Sequence, residues 1–335
     1  MNPAFSVILF TTLSGVGYGL LAWLGLSLAI GSPAVFALDD TAFLAWILHG
    51  VLLLLITGGA LTAVGLASSI FHLGKPLRAW RAFSQWRTSW LSREGVLAVL
   101  TYVPLIALVG LLSVFVSGSA SLPSLAAKLF PWIGATLALV SLITVVCTAM
   151  IYASLKPIPA WRHRLVVPVY LVFALLTGLT LVLALTASAP VVPPVTRVTI
   201  SRGLLAVPAS LDLILVAMKL IYWRAIDRIE FPSRESATAL EGIGKVTTFE
   251  RPHTEANYLT REMGFVLARK HSRKLRVIAL LLFAGIPLLA LLVAALLPSL
   301  TVAALWIAAL AALAGAFVER WLFFAEAKHM VMLYY

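Results

Sequence analysis

Charge is what this chain has least of. Asp, Glu, Lys and Arg together make up 11% of its 335 residues, against 61% hydrophobic ones, and the mean hydropathy is +1.02. So few charges cannot cover the surface of a soluble domain of this size, which excludes one. Cysteine is scarcer still: the single thiol, Cys147, cannot close an internal disulfide, hold an iron–sulfur cluster or complete a cysteine-based zinc site. Histidine occurs six times, and only His49 falls deep in an apolar run. A membrane b-type haem commonly takes two axial histidines at one depth, so no haem and no metal are expected on this chain. A methionine ligand, or a site made by His72 and His163, stays open. Alternation of polar and apolar residues is also missing, which excludes a β-barrel.

What is there is a set of eight apolar runs, at roughly 5–29, 42–66, 93–116, 130–153, 165–187, 203–225, 275–297 and 299–322, each of the ~20 residues that cross a bilayer. The expected fold is an all-α membrane protein, an eight-transmembrane-helix bundle forming one domain over 1–335. The first run is too long for a signal peptide and lacks a basic leader, so it is expected to be retained. Basic residues then set the orientation. The 2–3, 4–5 and 6–7 connections, the termini and the adjoining helix ends hold 22 of the 25 basic residues, leaving Lys128, Arg197 and Arg202 for the other face. Cytoplasmic loops retain such residues, so both termini are expected in the cytoplasm. The net charge of +12 is therefore an orientation signal, and with no soluble basic domain it does not imply nucleic acid.

The 6–7 connection, from Asp227 to Lys274, runs 48 residues with mixed charge, long for a helical bundle. It is expected to dock a soluble partner, the other reading being a solvated loop. Within it NYLTREMGFVLARKHSRKLRVIALL has the composition to extend the seventh helix outward.

Charge at membrane depth is costly and usually functional. Asp212 lies near the middle of the sixth run, and Lys219 follows two helical turns on, on about the same side but too far for direct pairing. A water-lined pocket or a proton route is one reading. The other is a structural hydrogen bond for Asp212, with Lys219 snorkelling to the interface.

Residues 68–95, SSIFHLGKPLRAWRAFSQWRTSWLSREG, concentrate what the rest lacks: five cations, His72, three tryptophans and Glu94. Pro76 suits the first turn of an interfacial helix with Leu77, Trp80 and Phe83 on one face and Arg78, Arg81 and Gln85 on another. Trp80, Trp86 and Trp90 suit the headgroup zone. An anchor needs no more than that. His72 and Glu94, however, bracket the segment at the inner edge of the bilayer. Ser92 is a candidate cap for the third helix, with Glu94 in its first turn. Histidine and a part-buried carboxyl also suit proton exchange with the two carbonyl oxygens of a quinone.

FHLGKPLRAW (71–80) followed by Ser-x-Glu at 92–94 resembles the segment joining helices two and three in the DmsC-like membrane anchor subunits of dimethyl sulfoxide reductase. NYLTREMGF (257–265), ARKHSRKLR (268–276) and ERWLFFAEAKHMVMLYY (319–335) are similar to the SoeC-like anchors of cytoplasmic sulfite dehydrogenase. The resemblance implies a three-subunit enzyme of the bacterial inner membrane. A molybdopterin catalytic subunit and an iron–sulfur subunit with four [4Fe–4S] clusters would sit on the cytoplasmic face, and this haem-free anchor would exchange electrons with ubiquinone or menaquinone. By motif position His72 and Glu94 match residues implicated in quinone handling. Arg78, Arg81 and Trp80 are counted with His72 and Glu94 among the residues expected to bind the quinone, the two arginines also being able to contact the cluster subunit or lipid phosphate. The cytoplasmic orientation favours sulfite oxidation over quinol-driven sulfoxide reduction. From a different class, a secondary transporter using Asp212 and Lys219 would need repeats or matched helix breaks, and no convincing ones are found.

Overall fold

The computed structural model describes residues 4–36, 41–71, 73–116, 123–189, 200–250, 255 and 267–333. Eight helices among them are long and apolar enough to cross a bilayer. They are α1 (Phe5–Phe36), α2 (Thr41–Ile70), α3 (Trp90–Val116), α4 (Pro123–Ala153), α5 (Val166–Ala187), α6 (Arg202–Asp227), α7 (Ser272–Leu296) and α8 (Thr301–Ala325). No strand occurs in the described residues. α1 outruns the expected run of 5–29, continuing as helix to Phe36.

α1 is the axis of the bundle. Its most apolar stretch is 72% buried, against 33% for α2 and α3 and 28% for α6, whose outer flanks face lipid. Lipid tails are as apolar as leucine, so helices in a bilayer gain by close backbone packing at small residues. At the α1–α5 crossing a Cβ on Gly178 would lie 2.3 Å from the Gly19 carbonyl carbon, and at the α1–α4 crossing a Cβ on Gly25 would lie 2.5 Å from the Gly134 oxygen. Only glycine permits either approach.

α7 is not uniform. It runs as α-helix over Ser272–Leu280, widens to one π turn over Leu281–Gly285 and resumes over Ile286–Leu296. The widening directly precedes Pro287, which has no N–H to offer the Phe283 carbonyl, so the ladder must adjust there. Gly315 of α8 accommodates the displaced turn: a Cβ on it would lie 2.3 Å from the Phe283 nitrogen.

Alternating direction brings the 2–3, 4–5 and 6–7 connections and the C-terminal segment to one end. The C-terminal segment is tied there to the 4–5 connection by Met330 N donating to Pro157 O (3.0 Å) and to the 6–7 connection by Arg234 Nε donating to Leu333 O (3.1 Å). The expected extension of the seventh helix is interrupted: a short turn over Leu267–Lys270 stops at His271, and α7 starts afresh at Ser272. Residues 257–266 of that stretch lie outside the described residues.

Candidate functional site

Between α2 and α3 the chain forms a 3₁₀ helix, Pro76–Gln85, with Pro76 in its first turn as the missing N–H predicts. A 3₁₀ helix repeats every three residues, so Leu77, Trp80 and Phe83 do align, and all three are exposed along one flank. Three arginines each lie over a tryptophan: Arg81 over Trp80 (5.7 Å), Arg87 over Trp86 (5.6 Å) and Arg93 over Trp90 (4.3 Å). Such pairs present apolar ring and charge side by side, as a headgroup zone favours.

Ser92 does not cap α3. The helix starts at Trp90, and Ser89 Oγ accepts the Ser92 N–H (3.5 Å), while Ser92 Oγ donates to the Ala82 carbonyl of the 3₁₀ segment. Arg93 reinforces the attachment by donating to the Trp86 and Arg87 carbonyls at 3.0 and 2.6 Å. The amphipathic segment is thus fastened to the first turn of α3.

Beneath it lies a cavity of about 690 Å³, walled by α1 (Val7, Phe10), α2 (Leu66, Ser69, Ile70), α3 (Leu91, Glu94, Gly95) and α4 (Ile151, Tyr152). Lys75, Arg78, Ala79, Ala82 and Phe83 roof it, and Trp161 and Phe324 line its inner wall. The lining is mostly apolar, with the cations on the segment side. Glu94 is only 4% exposed, so it sits in the second turn of α3 but well inside the bundle. Its Oε1 accepts from Thr148 Oγ1 of α4, and no ion pair among the described residues involves it. Four residues on from Thr148, one helical turn further along the same face, Tyr152 borders the cavity and meets Trp161 (5.4 Å), Phe324 (5.0 Å) and Tyr170 (6.2 Å) ring to ring.

Of the residues singled out from sequence, the cavity gathers Glu94 and Arg78 and leaves Trp80 and Arg81 outside. His72 lies outside the described residues. His49 is exposed on the flank of α2 rather than deep in the bundle. His163 closes the turn into α5, its Nδ1 accepting the Leu165 N–H (3.2 Å) while the ring meets Tyr222 edge-on. Burial and the neighbouring Arg164 hold its imidazole below the ordinary value. No group of three His, Cys, Asp or Glu side chains able to hold a metal gathers among the described residues.

The intramembrane charges arrange differently from expectation. Lys219 does not snorkel. It is buried and donates to Glu319 Oε1 of α8 at 2.5 Å, while Arg320 Nη1 donates to Glu319 Oε2 at 3.1 Å. Sequence reasoning missed Glu319 and counted Arg320 with the surface cations. Both look terminal when the eighth span is ended at 322, whereas α8 continues to Ala325. Asp212 is fully buried, and neither carboxylate oxygen has a partner among the described residues. The structure therefore does not join Asp212 to Lys219.

Eight helices long and apolar enough to cross a bilayer, with a mostly apolar cavity at one end, describe a multi-pass membrane protein. The chain belongs to the DMSO reductase anchor subunit (DmsC) family, which it matches over residues 1–325. It is similar to a sulfite dehydrogenase subunit of Allochromatium vinosum, at 34% identity over 348 residues covering 100% of this chain and 99% of that protein. The family expected from FHLGKPLRAW and the C-terminal segments is the one found, and the chain is an anchor subunit of a DMSO-reductase-type oxidoreductase.

Proposed function

We propose that this chain is the quinone-reactive membrane anchor of a sulfite:quinone oxidoreductase, taking electrons from a molybdopterin catalytic subunit through an iron–sulfur subunit. The observation that carries the reading is the cavity of about 690 Å³ holding a buried carboxyl, Glu94, under a cationic, membrane-surface segment. The volume lies in the range of small-molecule sites, and a mostly apolar wall with a few placed polar groups suits a hydrophobic carrier. A quinone supplies two-electron, two-proton redox chemistry.

The chain's own residues then divide the work. Glu94 gives and takes protons at a carbonyl oxygen, with Thr148 holding its other side. Arg78 and Lys75 are the cationic donors on the roof, and Tyr152 offers a hydroxyl and a ring face from the opposite wall. His72 keeps its sequence-based assignment as the second proton carrier. Trp80 and Arg81 anchor the segment in the headgroup zone, with Arg81 also free to meet lipid phosphate or the cluster subunit.

The similarity to a sulfite dehydrogenase subunit supports sulfite as the donor. The basic bias supports an inner-membrane orientation with both termini and the partners in the cytoplasm. The 227–274 connection is proposed as the dock for the iron–sulfur subunit. On its described part Leu240, Ile243 and Phe249 are exposed, an apolar set that a mere solvated loop has no reason to carry. The same anchor in a quinol-oxidising reductase is the alternative, because this chain handles the same electrons and protons in either direction.

Glu94→Gln tests the reading. Glutamine keeps an oxygen to accept from Thr148 but cannot carry the proton. Assembly and sulfite oxidation with an artificial soluble acceptor should persist, while quinone-linked turnover falls by about 10²–10⁴-fold. Unchanged quinone turnover would remove Glu94 from the chemistry.

A further inference from the structure

A second, much smaller cavity lies behind Glu94, enclosed by α1, α4, α5 and α8. Its volume is about 20 Å³, enough for one water molecule. Most hydroxyls around it are spoken for by their own helices: Thr11 Oγ1 donates to Val7 O, Ser14 Oγ to Phe10 O and Thr177 Oγ1 to Phe173 O. Three are not. Thr12 Oγ1, Tyr18 Oη and Tyr170 Oη are buried with no hydrogen-bond partner among the described residues, and all three residues line this cavity. An unpaired buried hydroxyl is costly, and three around a space sized for one water match the number of bonds a buried water typically makes.

Two further lining residues give the site a direction. Thr148 faces the cavity and donates to Glu94, so its oxygen retains lone pairs that can accept from a cavity molecule. The alternative acceptor for its single proton is Thr144 O at 3.1 Å, and a donor arriving from the cavity leaves the Thr148 proton pointing away, toward Glu94 or that carbonyl. On the opposite side Arg320 stacks over the Tyr170 ring, with Cζ 3.4 Å from the centroid, and leads to Glu319 and Lys219.

We propose that this cavity binds one ordered water, held by Thr12, Tyr18 and Tyr170, which joins Glu94 through Thr148 to Tyr170, whose ring in turn carries Arg320 of the Arg320–Glu319–Lys219 cluster. Glu94 then has two connections: the large cavity on one side and the bundle interior on the other. Tyr170 and Thr148 are positioning residues in this unit. The water site stands without the quinone reading, while its bearing on turnover rests on that reading.

The test is Tyr170→Phe in the intact complex, which keeps the ring under Arg320 and removes only the hydroxyl. If the water is present, the variant loses a water ligand and melts at a lower temperature than the parent. The infrared carboxyl band of Glu94, identified by its loss in Glu94→Gln, then shifts in Tyr170→Phe as it does in Thr148→Val. A dry cavity gives the opposite, because deleting an unpaired buried hydroxyl raises the melting temperature. A higher melting temperature, or a Glu94 band that ignores Tyr170→Phe while answering to Thr148→Val, overturns the proposal. Both readouts use the resting complex. Should Glu94→Gln retain quinone turnover while the band still shifts in Tyr170→Phe, the quinone reading falls and the water site remains.

Discussion

Replacing Glu319 by glutamine would strike the most exacting polar contact in the bundle. Glu319 serves two cations at once, Lys219 through Oε1 at 2.5 Å and Arg320 through Oε2 at 3.1 Å, and the Lys219 and Glu319 side chains are 2% and 1% exposed. Removing one partner of a buried pair leaves an uncompensated charge and costs ~3–5 kcal/mol. Here two cations lose the carboxylate they share, and the glutamine amide turns a donor toward one of them, so the upper end of that range is expected. Lys219→Met should cost less, about 1–3 kcal/mol, since Glu319 keeps Arg320 and the remaining loss is one charged hydrogen bond with its desolvated partner. The double variant Lys219→Met/Glu319→Gln should be milder than the two single costs together by ~2 kcal/mol, because without Lys219 the loss of the carboxylate strands one cation, Arg320, instead of two. Thermal melting of the purified complex in detergent measures all three. If Glu319→Gln melts no lower than Lys219→Met, or the double variant is additive, the triad does not hold α6 to α8 as argued.

Arg78 and Arg81 separate the cavity from the anchor. Arg78→Ala should raise the quinone KM about tenfold or more, by loss of a charged hydrogen bond, while Arg81→Ala leaves it within about twofold; equal effects in steady-state kinetics would refute the division. His163 gives a pH dependence. Its imidazole is held below the ordinary 6.5 by burial and Arg164, so the folded state favours the neutral ring; that contribution is present above the unfolded value and is lost as pH falls through the folded one. Melting should therefore drop on acidification below about pH 6.5, and His163→Asn, which can still accept the Leu165 N–H, should flatten that drop. Packing is tested at the α1–α5 crossing. A Cβ on Gly19 would sit 1.7 Å from Ala174 O, so Gly19→Ala should abolish accumulation of the folded chain, whereas Gly110→Ala, with nothing within 4 Å, should be silent by immunoblot of membranes.

The eight spans were legible because a run of twenty apolar residues has one economical reading in a chain this poor in charge. Packing was not. Gly19 and Gly178 carry no periodic signal that they face each other, because a helix in lipid may be apolar all round, and the hydrophobic pattern that orients a helix in water is absent. The same holds for the site. The segment 68–95 announced itself by composition, and Glu94 within it, but Thr148 and Tyr152 sit in an apolar run where one threonine and one tyrosine mean little. They become meaningful only once α3 and α4 are side by side, with Glu94 as the hydrogen-bond acceptor between them.

Glu319 and Arg320 show where the sequence misleads. A Glu-Arg pair near the end of a span looks like interfacial charge, because a span ended at 322 puts Glu319 and Arg320 in its last turn. Burial cannot be read that way when the charges neutralise one another across helices. Lys219 on α6 and Glu319 on α8 are a hundred positions apart, each anomalous alone and ordinary as a pair. Asp212 is the converse case, conspicuous in sequence and unpaired among the described residues. Asp212 and Lys219 are not joined: Lys219 is taken by Glu319 of α8. The polar chemistry of this bundle gathers instead where Glu94 and Tyr152 meet the large cavity, with Thr148 and the Lys219–Glu319–Arg320 triad behind them.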